Sequence, residues 1–169
     1  MPRKARSDPS DHLKFSTRAG CDKLPALFLV RMEQEQLLIV DGHSAIFGME
    51  DLRELHHGPK RHLARIELIK RLRDIGDRGE WKVVVVFDGR QLERGYEGGN
   101  EDGILIIYSK ARETADAVVE RHAARFSEKG DRVRVASNDG MVLLTATTFG
   151  AEGIRIEELE EWWEKGGSD

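Results

Sequence analysis

Asp41, Asp88 and Asp139 each close an apolar or alternating run: LLIVD (37–41), VVVVFD (83–88) and RVRVASND (132–139). The stretch ARETAD (111–116) adds Glu113 and Asp116. Gathered together, these carboxylates would repel. At about 5 Å and an effective dielectric near 20, each pair costs on the order of 3 kcal/mol. A fold that collects them needs a cation between them, and oxygen-only donors select a hard ion, Mg²⁺ or Mn²⁺. Such an ion lowers the pKa of a bound water and clamps a phosphate oxygen during in-line displacement. The chemistry this suggests is phosphodiester hydrolysis. Taken singly, each residue also has a structural role open to it. Asp139 suits a helix cap, Glu113 and Asp116 suit a helix N-terminus, and Asp41 and Asp88 precede turn glycines. The pattern of all five carries the chemical reading.

Elements must bring them together. Leu37–Val40, Val83–Phe87 and Ile104–Tyr108 are short, continuous apolar runs, as in strands buried on both faces. Arg132–Ala136 reads as a fourth strand and Gly153–Ile156 as a short fifth. Between them lie helical patterns. Lys60–Ile75 carries Leu63, Ile66, Ile69, Leu72 and Ile75, and Glu113–Glu128 carries Ala115, Val118, Val119, Ala123 and Phe126. Asn138–Phe149 and Glu157–Lys165 complete the set, the last with Leu159, Trp162 and Trp163 to bury. Gln91–Gly103 is a glycine-rich loop. Strands alternating with helices give an α/β sandwich around a mostly parallel sheet of four or five strands. In such sheets function sits at the carboxyl ends of the strands. Asp41, Asp88 and Asp139 all emerge at that edge. Glu113 and Asp116, spaced i and i+3, share one helical face beside it.

Composition narrows the setting. With 169 residues the chain suits one domain with a real core. The one cysteine, Cys21, excludes an internal disulfide and a thiolate zinc site, which fits a reducing cytoplasm. No apolar run is long enough to span a membrane, and Leu24–Val30 lacks the pattern of a cleaved secretory signal. Residues 1–31 hold seven Lys and Arg against three Asp and read as a basic, disordered extension. The domain proper is residues 32–165, followed by a tail at 166–169. The formal net charge is −4, so the chain beyond residue 31 carries −8; this acidic remainder argues against tight nonspecific nucleic-acid binding, but not against a site where metal ions offset local negative charge.

In order along the chain, LLIVDGHS, VVVVFDG, ARETADAVVE and VASND resemble the YacP-like branch of the NYN domain family, within the PIN-like nuclease superfamily. The resemblance runs from about Leu37 to Trp163. It implies a PIN-like α/β/α sandwich and a metal-dependent endoribonuclease. It matches Asp41, Asp88, Asp116 and Asp139 to the metal ligands, with Glu113 assisting, and gives Ser137 and Asn138 the last turn. One departure stands out. The family commonly has asparagine three residues after the first aspartate, where this chain has Ser44, and His43 replaces the family tyrosine. Serine can still donate to a phosphate. His43 reads as a surface or supporting histidine, because the metal can supply the nucleophile.

RNA is the expected substrate, single-stranded or messenger, with room for a docking partner such as the ribosome. Phosphates call for cations and bases for planar groups. Arg90, Arg94 and Tyr96 on the loop, and Lys110 and Arg112 before the acidic helix, are placed to meet it, together with Ser44, Ser137 and Asn138. His56, His57 and His62 read as loop and helix surface. The alternative is a PIN-like module that binds RNA or the ribosome without cutting, for which Ser44 is the hint. A small-molecule phosphohydrolase is disfavoured because Asp41 is followed by Gly42 and His43, not by a second aspartate at i+2.

Overall fold

The computed structural model describes residues 34–78, 80–89, 100, 101 and 103–165. The basic extension, the tail at 166–169 and most of the glycine-rich loop, with Arg90, Arg94 and Tyr96, lie outside the described residues.

Strand β1 (Gln36–Asp41) is central. It pairs in parallel with β2 (Lys82–Phe87) on one side and β5 (Arg132–Ala136) on the other. β4 (Ile104–Tyr108) extends the sheet beyond β2, and β6 (Glu152–Ile154) extends it beyond β5, both in parallel. Five strands are therefore parallel. A two-residue piece, β3 (Asn100–Glu101), adds antiparallel to β4 at the outer edge, so the loop read over Gln91–Gly103 contains a short strand at its end. The spatial order is β3-β4-β2-β1-β5-β6.

The continuous apolar runs of β1 and β2 reflect cover on both faces. Leu38, Val40, Val83, Val85 and Ile106 face a core shared with α1 (Gly42–Gly48), α2 (Glu50–His57), α3 (His62–Asp77) and α6 (Ile156–Glu164). α4 (Ala115–Glu128) and α5 (Gly140–Thr148) cover the other face. The result is a three-layer α/β/α sandwich. Among the described residues, no helix is long and apolar enough to cross a membrane.

Two readings need correction. The buried stripe of α3 is Ala64, Leu68, Leu72 and Ile75, while Ile66 is exposed and Leu63 and Ile69 are only half-buried. A strict three-residue spacing drifts round a 3.6-residue helix, whereas steps of four and three hold one face. Helices α1 and α2 are absent from the sequence reading. With Met49 between them, they bury Ala45, Ile46 and Leu52, a short helical pattern hidden between charged residues.

The topology positions the site. From β1 the chain moves out through β2 to β4, then returns by α4 to β5 on the opposite side of β1. Strand order thus reverses between β1 and β5. That is the crevice where open α/β sheets hold their ligands, outside the carboxyl ends of the strands.

Candidate active site

Asp41 ends β1 at this crevice and is almost fully buried, with 3% of its surface exposed. It caps α1. Its Oδ1 accepts from the backbone N–H groups of His43 (3.0 Å) and Ser44 (3.3 Å). Its Oδ2 accepts from the hydroxyls of Ser44 (2.6 Å) and Ser137 (3.0 Å). Four donors satisfy the oxygens of this buried carboxylate. Ser137, fully buried beyond the end of β5, in turn accepts from the Asp139 N–H (3.1 Å). One hydroxyl thus ties the end of β1 to the turn that carries Asp139.

These contacts revise the roles read for two serines. Ser44 and Ser137 are expected from the sequence to touch substrate. Both are buried and donate to Asp41, so they position the carboxylate. Asn138 is also structural: its Oδ1 accepts from the Ile156 N–H (3.1 Å), pinning the turn after β5 to the start of α6.

Asp139 caps α5, its Oδ1 accepting from Met141 N (2.7 Å) and Val142 N (3.3 Å). The cap role and an exposed position coexist, because one oxygen suffices for the cap and Oδ2 accepts nothing from the described residues. Asp116, in the first turn of α4, is half-buried. Burial raises its pKa above the ordinary carboxylate value, and the charges of Asp41, Asp139 and Glu120 raise it further, while His43 acts the other way. Aspartates from β1, α4 and the β5–α5 turn therefore lie within electrostatic reach of one another.

Glu113 does not join them as read. Thr114 is the N-cap of α4, its hydroxyl accepting from Ala117 N at 3.2 Å. Glu113 therefore precedes the helix and pairs with Arg121. The carboxylate that shares a helical face with Asp116 is Glu120, at i+4. That spacing is present in the sequence, and the threonine cap is the signal that shifts the helix start.

Asp88 follows β2 and is half-buried. It lines a cleft with His43, Phe47, His56, Arg65 and Phe87. The glycines after Asp41 and Asp88 are required by close approach. A Cβ on Gly42 would meet the Phe87 ring at 2.4 Å, and one on Gly89 would meet the Ser109 carbonyl oxygen at 2.0 Å. Each D-G pair thus marks a strand end packed tightly against its neighbour. Lys110 and Arg112 are exposed in the turn between β4 and α4. Among the described residues, no three His, Cys, Asp or Glu side chains stand close enough to share one metal ion.

Residues 38–166 match the family described as the YacP-like NYN domain. No curated protein matches the chain. Among solved structures it is similar to Rae1 (YacP) from Bacillus subtilis, with a TM-score of 0.67, 24% identity, and 78% of this chain and 75% of that chain covered. A tryptophan-to-leucine mutant of that same Bacillus subtilis protein is similar at a TM-score of 0.65 and 25% identity, covering 78% and 76%. With the match spanning all but the first two residues of the sheet and both helical layers, the chain belongs to the YacP-like NYN domain family, a nuclease-type domain of PIN-like fold with an RNA-related function.

Proposed function

We propose that this domain is a divalent-metal-dependent endoribonuclease acting at the crevice between β1 and β5. The observation that carries the reading is the convergence of Asp41, Asp116 and Asp139, three carboxylates from three separate elements; burial raises the pKa of Asp116, and the charges of the other two raise it further. A stable fold retains such repulsion where function needs it.

The donor set fits a hard cation. It is all oxygen, and the Oδ2 of Asp139 and the carboxylate of Asp116 accept no hydrogen bond from the described residues. Mg²⁺ or Mn²⁺ is the matching class. Asp116 and Asp139 would hold the ion, its other positions left to water and phosphate, with Asp41, Asp88 and Glu113 or Glu120 outside it. Bound there, the ion supplies charge neutralisation at the phosphate and an acidified water. The protein's own part is positioning. Asp41 locks the turns after β1 and β5 through Ser44 and Ser137, which fixes where Asp139 stands. Lys110 and Arg112, with Arg90 and Arg94 on the loop, provide cations for the flanking phosphates. On this reading the domain works on RNA in the cytoplasm, with the ribosome a candidate docking partner.

One observation favours the second reading, a module that binds RNA without cutting. Asp41 already accepts four hydrogen bonds, two of them from serine hydroxyls, and Ser44 stands where the family commonly has asparagine. A ligand so occupied is slow to engage an ion.

The deciding experiment incubates the protein with end-labelled single-stranded RNA in Mn²⁺ or Mg²⁺, with EDTA and Asp116→Asn as controls. Internal cuts that need both the metal and Asp116 are the expected result. RNA binding that ignores metal, with no cuts in any substrate, would establish the second reading instead.

A further inference from the structure

Four aromatic rings meet beside the acidic crevice, and of them only Phe47 packs against the core. His43 and Phe47, one helical turn apart on α1, have centroids 4.5 Å apart. Phe47 meets His56 at 5.0 Å and His57 at 5.9 Å, both edge-on. A core cluster would bury its rings. Here His43 and His57 are exposed, and Phe47 and His56 are half-buried. The cluster borders the cleft that ends at Arg65, Phe87 and Asp88. His43 also lies against the carboxylates: its backbone N–H donates to Asp41, and its charge acts on Asp116.

We propose that His43, Phe47 and His56 form a stacking floor for one unpaired nucleobase of the RNA, next to the phosphate held at the acidic crevice. The inference rests on the ribonuclease reading and gives that site a base-binding neighbour. Every base presents a π face, so aromatic side chains hold single strands with little sequence preference. A duplex keeps its bases stacked on one another, so the floor selects unpaired RNA. The cleft encloses only about 20 Å³, room for roughly one water, so the base lies across its mouth and not within it. Its rim would then meet Arg65 and Asp88, groups of opposite sign. Burial, helped by the nearby charges of Arg61, His57, His43 and Arg65, lowers the pKa of His56. Its ring is therefore neutral at pH 7.

The test uses the full chain in EDTA, so that binding is read without cleavage. The probe is a single-stranded RNA oligonucleotide carrying 2-aminopurine, compared with an abasic oligonucleotide of equal length. Wild-type protein is expected to quench the 2-aminopurine and to bind the abasic strand roughly 10-fold more weakly. His43→Ala, at an exposed position, and Phe47→Leu, which keeps an apolar side chain against the core, are each expected to reduce the quench. Each is also expected to weaken binding of the ordinary strand several-fold, with Tm near the wild-type value and unchanged affinity for the abasic strand. Equal affinity for both strands, or a quench that survives both substitutions, would overturn the stacking floor. If metal-dependent cleavage persists in that case, the ribonuclease reading stands without it. Quenching without cleavage under any metal would keep the floor and sink the nuclease.

Discussion

The two ends of the sheet handle charge in opposite ways. Near the amino ends of the strands, Arg134 of β5 is buried, with 6% of its surface exposed. Its guanidinium lies 4.8 Å from the ring centroids of both Trp81 and Trp162, which meet each other edge-on at 5.3 Å. Its Nε donates to Glu152 at 2.9 Å. Aromatic faces and a carboxylate thus replace the water this charge has lost. At the carboxyl ends, by contrast, Asp41, Asp116 and Asp139 crowd one another, and the pKa of Asp116, raised by burial, is raised further by their charges. One end is arranged for stability, while the other keeps a conflict that an added cation would relieve.

Breaking the acidic end has the largest expected effect. Asp116→Asn should reduce metal-dependent cleavage of single-stranded RNA by at least ~100-fold, since it removes a ligand from a site worth several kcal/mol of transition-state stabilisation. The same substitution removes the repelling charge, so Tm should rise, by about 1–3 °C. Cleavage assays and thermal melts on one preparation check both. Activity retained with an unchanged Tm would show that Asp116 is a surface residue after all.

The opposite end should respond in stability alone. Arg134→Ala removes the cation between Trp81 and Trp162 and leaves Glu152 without its closest partner, at a cost of about 2–4 kcal/mol. Chemical denaturation reads this, and cleavage by the folded fraction should not change. A loss of specific activity larger than the loss of folded protein would mean that the two ends are coupled.

The contrast also marks what the sequence can reveal. The strands are legible because parallel strands buried on both faces leave continuous apolar runs, and VVVVF admits no other reading. The strand-end aspartates are legible for the same reason, since a charge terminating such a run must emerge at an edge. Helices α1 and α2 escape because each spans about two turns, too short for a periodic stripe to stand out from its charged neighbours. Glu113 falls on the wrong side of the helix start, which Thr114 decides. The burial of Ser44 and Ser137 is beyond reach, because it depends on β1 and β5 being neighbours, which the order along the chain does not disclose. Arg134 looks like a surface charge alternating with valines, and two distant tryptophans bury it.

Ser137 sharpens the comparison from inside the acidic end. Like Ser44, it is a buried group there with its partners in place. Ser137→Ala deletes a donor to Asp41 and an acceptor for the Asp139 N–H, at a cost of about 1–2 kcal/mol in denaturation. Because it also loosens Asp139, cleavage should fall by roughly 10-fold at fixed metal, a loss of about 1.4 kcal/mol. If excess Mn²⁺ restores the rate, the serine acts by placing the ligand; if it does not, the hydroxyl has a more direct part.

The smallest effect is in pH, and its sign follows from the direction of the Asp116 shift. A carboxyl whose folded pKa lies above its unfolded value, 3.8 here, binds its proton more tightly in the native state. The resulting stabilisation is complete below the unfolded pKa and is lost as pH rises through the folded one. At pH 7 wild-type protein therefore carries the full cost of the ionised Asp116, while Asp116→Asn carries none. As pH falls towards 4 the wild-type carboxyl takes up its proton and that cost disappears. The Tm advantage of Asp116→Asn at pH 7 should shrink steadily over this range and approach zero near its lower end. Saturating Mg²⁺ at pH 7 should shrink it as well, because the ion neutralises the charge that the proton would otherwise remove. An advantage independent of pH would locate the gain in packing and not in relieved repulsion, and the contrast between the two ends of the sheet would then lose its electrostatic basis.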